Sequence, residues 1–312
     1  MARVPPLTNS TATSAGVHQD NKGIALGAGA YVIWGMFPAF WPLLAPADSG
    51  EILAHRIAWS LVVMALLTAV LGRWSSLRTL SARGWLMVAA ASALIAANWG
   101  VYIYAVNSGH VVEAALGYFI NPLVSVVLGV LVLRERLRGL QYAALGIAVT
   151  AVVVLAVDYG RLPWISLVLA CSFGVYGLIK KTVPLDATSS LTAESIVLGP
   201  IAVGYLLWLG SAGTFHSNGW GHALLLASSG LVTAVPLMMF GAGARRVPLT
   251  TMGMLQYLAP ILQFAWGVFV AHEPMPASRW FGFGLVWAAL AVFTADALHS
   301  RRRSRLLVAP IE

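Results

Sequence analysis

The chain alternates long apolar runs with short polar connections, and the runs are long enough to cross a lipid bilayer. A helix rises 1.5 Å per residue, so about 20 apolar residues span the hydrocarbon core. Ten stretches meet or approach that length: 23–44, 51–71, 84–106, 110–133, 138–157, 163–180, 191–210, 221–243, 248–271 and 279–298. No connection between them has room for a soluble catalytic domain. Of the residues, 59% are hydrophobic and 10% charged, against roughly 25% charged in a soluble domain. The chain is therefore read as an all-α polytopic membrane protein whose surroundings are the bilayer. The net charge of +8 does not point to a nucleic-acid partner, because the basic residues lie between apolar runs and not on one face of a polar domain.

Lys and Arg also give an orientation. With both termini cytoplasmic, that side holds 16 of the 19 basic residues, in the clusters Arg73/Arg78/Arg83, Arg134/Arg136/Arg138, Lys180/Lys181, Arg245/Arg246 and the C-terminal Arg301 to Arg305, plus Arg3 and Lys22. The opposite side holds Arg161 and Arg279, and Arg56 falls inside the second run. Such an asymmetry is the positive-inside pattern, and an even number of spans is what lets both termini share a side. Residues 1–21 lack a charged leader followed by a short apolar core, so they are expected to form a disordered cytoplasmic tail and not a signal peptide. Residues 299–312 read as a basic cytoplasmic tail.

Sliding the chain along itself without gaps until Pro122 lies on Pro260 also lays Gly129 on Gly267, Glu135 on Glu273, Gly146 on Gly284 and Asp158 on Asp296. This constant offset predicts two repeats, 22–158 and 159–298, of five helices each. An odd number of helices per repeat makes the halves enter the membrane in opposite directions, the plan of many secondary transporters.

Polar residues inside apolar runs are the candidates for function, since a polar group facing lipid is expensive. In the fourth run Glu113, Gly117, Asn121, Ser125 and Gly129 recur every four residues and form one winding ridge. Two readings fit the ridge: a seam for close helix packing, or the lining of a pathway. Gln256 and Gln263 lie on nearly one face of the ninth run, around Pro260. Pro122 and Pro260 each remove a backbone donor and are expected to kink their helices. Asn98, Tyr102, Tyr118 and Tyr257 complete the expected cavity lining. Arg56 sits about five residues into its run, roughly 8 Å deep, where it can snorkel outward or pair with Glu113 at similar depth. Glu113, Arg56 and His55 are the candidates for charge recognition or proton coupling. Glu194 joins them, with Lys180 and Lys181 as ready partners. Trp41, Trp74, Trp85, Trp220 and Trp280 lie near predicted span ends, where an interfacial aromatic belt belongs.

No phosphate-binding G-x-x-x-x-G-K-[ST] loop, H-E-x-x-H or G-x-S-x-G motif occurs, and no Asp cluster for magnesium. The lone Cys171 allows neither an intramolecular disulfide nor a cysteine metal cluster. No cofactor, metal or catalytic residue is expected, and oligomeric state is left open.

The stretches AYVIWGMFPAF, EILAHRIAWS, NWGVYIYAVNSGHVVEAALGYFINPLVSVVLG and ERLRGLQ in the first half carry a family resemblance. So do LPWISLVLACSFGVYGLIKK, AESIVLGP, TAVPLMMF, LTTMGMLQYLAP and GVFVAHEP in the second. Over residues 22–298 the chain resembles the RarD family (chloramphenicol-sensitivity proteins) of EamA-type transporters, within the drug/metabolite transporter superfamily. The resemblance implies a ten-helix inverted-repeat carrier of the inner membrane, moving small metabolites or drugs, commonly outward. Two positions depart from the family pattern: Pro42, where a Lys is expected after Phe40-Trp41, and Gln263, where an apolar residue is expected. A rival reading is a non-transporting sensor or assembly partner, which requires a centre whose polar groups are all paired internally.

Overall fold

A computed structural model of the chain describes residues 20–134, 137–180 and 182–307. Most of the predicted N-terminal tail, the last five residues, Glu135-Arg136 and Lys181 lie outside the described residues. Every regular element among the described residues is helical. The first run becomes α1 (Asn21–Gly35) with short helical turns at Phe37–Phe40 and Trp41–Leu44. Next come α2 (Ser49–Val70), α3 (Ala82–Asn107), α4 (Val111–Leu133), α5 (Gly139–Tyr159) and α6 (Trp164–Lys180). These are followed by α7 (Ala187–Leu209), α8 (Gly219–Ala244), α9 (Leu249–Leu255), α10 (Leu258–Ala265) and α11 (Ala277–Leu307). Eight segments are long and apolar enough to cross a membrane, and α1 with its bent continuation makes a ninth if the pair counts as one. The apolar helix α6 has 17 residues, at the short end of the spanning range.

Local chemistry sets the ends of these helices. Asp48 and Asp186 stand at the N-caps of α2 and α7, each accepting from two backbone N–H groups of the first turn, which removes two of the orphan donors there. The two caps are separated by the same offset as Pro122 and Pro260. Proline accounts for two breaks. Pro38 ends α1 near Met36, and the chain turns by 44°. Pro260 cannot donate to the carbonyl of Gln256, and the ninth run divides there into α9 and α10. Pro122, which the constant offset lays on Pro260, behaves differently: it sits inside the uninterrupted α4.

Helix α2 packs on α7 and α8, α4 on α6 and α10, α5 on α11, α1 on α8, α9 and α10, and α3 on α6 and α7. Three of these contacts run antiparallel. At one end of the α5–α11 contact Arg279 Nε donates to Asp158 at 2.8 Å, and at the other Arg138 pairs with Asp296 at 2.7 Å. In the α2–α7 contact the Thr68 and Thr192 hydroxyls meet at 2.7 Å, while Gly50 lies beside Tyr205. At the start of α4, Val111 and Val112 donate their backbone N–H groups to Glu273, just past the end of the ninth run. Glu273 lies outside the spans; burial pushes its carboxyl up from the ordinary value, against these two hydrogen bonds, which pull it down. Large apolar side chains such as Leu66, Val70, Leu86, Val157, Leu207 and Leu224 remain exposed around the bundle, as lipid-facing surfaces do.

Candidate functional site

Arg56, in the second turn of α2, is 3% exposed. It neither snorkels nor meets Glu113. Its Nε–H donates to Thr233 Oγ1 of α8 at 2.9 Å, and the Thr233 hydroxyl in turn donates to the carbonyl of Ser229. The α2–α8 approach requires Gly230, because a Cβ there would lie 2.5 Å from the Trp59 backbone carbon. Thr233, three residues on, is thereby brought to the guanidinium. The rest of the Arg56 head is enclosed by aromatic rings, with Trp99 at 3.9 Å, Trp41 at 5.0 Å and Phe37 at 5.6 Å from its central carbon. Such faces stabilise a desolvated cation by about 2 kcal/mol, far less than the several kcal/mol that burying an ion costs. Among the described residues no carboxylate comes within ion-pair distance of Arg56.

Beside this cage lies a polar web. Asn98 of α3 donates through Nδ2 to the Leu169 carbonyl and to Ser172 Oγ on α6, both at 3.0 Å, and its Oδ1 accepts from the Tyr118 hydroxyl at 3.2 Å. Tyr118 meets Tyr102 edge-on at 5.7 Å, and Tyr102 adjoins Phe37 of the cage at 6.5 Å. Four buried polar atoms in this region have no partner among the described residues: Arg56 Nη1, Trp41 Nε1, Tyr102 Oη and Asn121 Oδ1. Buried polar groups are nearly always satisfied, so unpaired ones gathered in one region call for a ligand or water.

The acids are placed differently. Glu113 is 1% exposed and is taken by Arg161 in a fork, Nη1 at 3.2 Å and Nη2 at 2.7 Å. It also accepts from the Ile165 backbone N–H at the start of α6. The Arg56–Glu113 pairing that similar depth suggested does not form: Arg161, from the connection before α6, holds the carboxylate, and Arg56 turns to Thr233 of α8. The hydrogen bond to Glu113 holds the Arg161 pKa above its ordinary value. Further along the ridge, a Cβ at Gly117 would lie 2.8 Å from the Ser166 carbonyl oxygen, and Asn121 lies next to Gly174. Glu113 and Gly117 thus lie tightly against α6, and this part of the ridge is a packing seam, whereas Asn121 keeps an unpaired Oδ1 beside α6. Glu194 accepts from Lys180 Nζ at 2.6 Å, Tyr176 Oη at 3.1 Å and Ser190 Oγ at 3.2 Å. His55 stacks on Phe215 at 4.8 Å, with Glu51 at 3.9 Å from its Nε2. Glu51 in turn accepts from the backbone and hydroxyl of Thr214.

On the second half's side, Gln263 is 3% exposed and donates to the Trp34 carbonyl at 3.1 Å, leaving its own Oε1 unpaired. Gln256 and Tyr257 form the break between α9 and α10; Tyr257 packs on the α4/α5/α11 cluster and not in the Arg56 cage. The sequence reading missed the cage itself. Trp41 is wholly buried against Arg56 and not in the interfacial belt, because the turn after Pro38 folds it inward. Trp220, 87% exposed, does point outward. The available signal was Phe37 and Trp41 at i, i+4 beside a run containing a lone Arg.

The first half, residues 21–157, matches the family model described as the EamA-like transporter family. Among curated proteins, the chain is 56% identical over 292 residues to Protein RarD of Streptomyces exfoliatus, covering 92% of this chain and 93% of that protein. It is 44% identical to the uncharacterized transporter YojE of Bacillus subtilis (strain 168), covering 92% and 98%. It is 40% identical to Protein RarD of Escherichia coli (strain K12), with the same coverage. A solved crystal structure shares the fold at a TM-score of 0.59 and 16% identity, covering 88% of this chain and 98% of its own.

Proposed function

Given that the chain belongs to the RarD family of EamA-type transporters, we propose that it is a secondary carrier exporting small metabolites or drugs by alternating access. In this reading ten spans form two inverted five-helix halves that rock against each other in the inner membrane, with both termini cytoplasmic. The antiparallel contacts of α2 with α7, of α5 with α11 and of α4 with the ninth run support it, since each joins a helix to its own counterpart in the other repeat. The exchange extends to unlike pairs: α1 on α8 answers α6 on α3, and α2 on α8 answers α7 on α3.

The observation that carries the proposal is the Arg56 cage and its polar web, which draw on both halves. Arg56, Trp41, Trp99, Asn98 and Tyr118 come from the first, Thr233, Leu169 and Ser172 from the second. A site between halves is the place that alternating access exposes to either side in turn. Asn98, Tyr102, Tyr118 and Asn121 line it, and Gln256, Tyr257 and Gln263 border the path from the other repeat. Arg56 recognises charge, whereas Glu113 and Glu194, each held in an ion pair, brace the helices. A sensor with a fully paired centre accounts poorly for the unpaired Arg56, Trp41 and Tyr102 groups. Efflux from loaded proteoliposomes, with and without a pH gradient, tests the proposal. Release of members of a metabolite panel only from vesicles holding the protein is the expected result; folded protein with no flux for any member overturns it.

A further inference from the structure

We infer that the Arg56 cage binds the carboxylate of a small organic monoanion with an apolar or aromatic body, and that this anion is the class of substrate carried. The inference rests on the transporter reading for the word substrate, but not for the binding site. A guanidinium does not deprotonate in proteins, so a buried Arg56 keeps its charge and needs an opposite one. The protein supplies none among the described residues: Glu113, Glu194, Asp158 and Asp296 are each committed to another cation, and Glu51 lies with His55 and Thr214.

The unpaired groups specify what is missing. Arg56 Nη1 and Trp41 Nε1 are donors with no acceptor, and the Tyr102 hydroxyl is free to donate as well. Of the four unpaired atoms only Asn121 Oδ1 accepts without donating; a cation with donors in excess describes a site for an anion, and a carboxylate offers about four lone pairs to such donors. One uncompensated positive charge matches one negative charge; a phosphate dianion would leave a buried charge in excess. The Thr233 bond fixes the Nε edge of the head and Trp99 lies against it, and Nη1 is the group left without a partner. Phe37 of the cage adjoins Tyr102, and Tyr102 adjoins Tyr118, aromatic surroundings that suit an apolar body more than a sugar or a peptide.

Sodium benzoate, with benzamide and benzylamine as its neutral and cationic analogues, is the direct probe. The purified full chain in detergent is melted against each compound at constant ionic strength, with phenyl phosphate, chloride and phosphatidylglycerol as further arms. Benzoate is expected to raise the melting temperature saturably while benzamide and benzylamine do not. Arg56→Gln should weaken benzoate binding by roughly 10- to 100-fold, the range carried by a charge-assisted hydrogen bond and its cation. Trp41→Phe keeps a ring and removes only the Nε1 donor, so it tests the site even where the Arg56 variant fails to fold; a roughly 3- to 10-fold weakening is expected. Equal stabilisation by benzoate and benzamide overturns the inference. So does stabilisation by chloride or phosphatidylglycerol that benzoate neither adds to nor displaces, since the cage would then hold a resident inorganic ion or lipid. Preference for phenyl phosphate over benzoate overturns the monoanion assignment. Parallel flux measurements separate the two readings: uptake of neutral solutes without benzoate binding refutes the anion site alone, and benzoate binding with no flux of any solute refutes the carrier alone.

Discussion

Arg56 and Glu194, on α2 and α7, are separated by the same offset as Pro122 and Pro260 and carry opposite charges into the bundle. Their surroundings differ in kind. Glu194 is met by Lys180, Tyr176 and Ser190, all from its own half. Arg56 is met by three aromatic rings and one threonine hydroxyl. The difference separates two uses of a buried charge. A charge with its partner supplied locally holds helices together, whereas on the proposed reading Arg56 is a charge whose partner arrives from outside.

The largest expected effect comes from unbalancing the satisfied site. Lys180→Ala leaves Glu194 buried without its cation and should destabilise the protein by about 3–5 kcal/mol, read as a lowered melting temperature, with Lys180→Ala/Glu194→Gln recovering most of the loss. Arg56→Gln should behave oppositely. It removes an already uncompensated charge, so the melting temperature stays level or rises while proteoliposome flux is lost, the trade-off expected at a functional site. A fall as deep as that of Lys180→Ala would erase the distinction between the two sites.

The polar web beside the Arg56 cage offers an intermediate test. Asn98→Ala deletes an acceptor for Tyr118 and the donor to Leu169 and Ser172, at a cost of about 2 kcal/mol. Tyr118→Phe removes one of those bonds and should cost about 1 kcal/mol. If Asn98→Ala proves neutral in the melt yet lowers flux, the web belongs with Arg56 as recognition and not with Glu194 as bracing.

Much of the architecture was legible from the residues, for simple physical reasons. A helix crossing lipid must be continuously apolar, and the described runs are helical close to their predicted bounds, except that α11 continues past residue 298 to Leu307, into the predicted basic tail. The Lys180–Glu194 pair could be read because its members flank one short connection. Contacts across the bundle could not. Glu113 went to Arg161 and not to Arg56, since depth in the membrane says nothing about which helices adjoin. Trp41 lay too near a run's end to be counted as interior until the break at Pro38 turned it inward. The fate of the two matched prolines was also hidden: Pro122 remains inside one helix, Pro260 splits its run, and the same local rule permits both outcomes.

The smallest effects concern the caps, where the two halves are alike. Asp48 and Asp186 make the same pair of backbone bonds, so Asp48→Ala and Asp186→Ala should each cost about 1 kcal/mol. Asp186 adds an exposed pair with Arg73 at 2.8 Å; Arg73→Ala should therefore cost less than about 1 kcal/mol. Burial pushes the Asp186 carboxyl up, but hydrogen bonds from the Ser189 side chain and backbone, with Arg73 and the Thr188 N–H, hold it below its ordinary value. A carboxyl lowered on folding contributes stability that is present above its ordinary value and fades as pH falls through the lowered one. Acid melting of Asp186→Ala should accordingly converge on that of the parent protein below the ordinary carboxylate range, whereas the Lys180→Ala deficit is set by a buried pair lost at neutral pH. A gap between Asp186→Ala and the parent that persists at low pH would place the Asp186 contribution in packing and not in its charge.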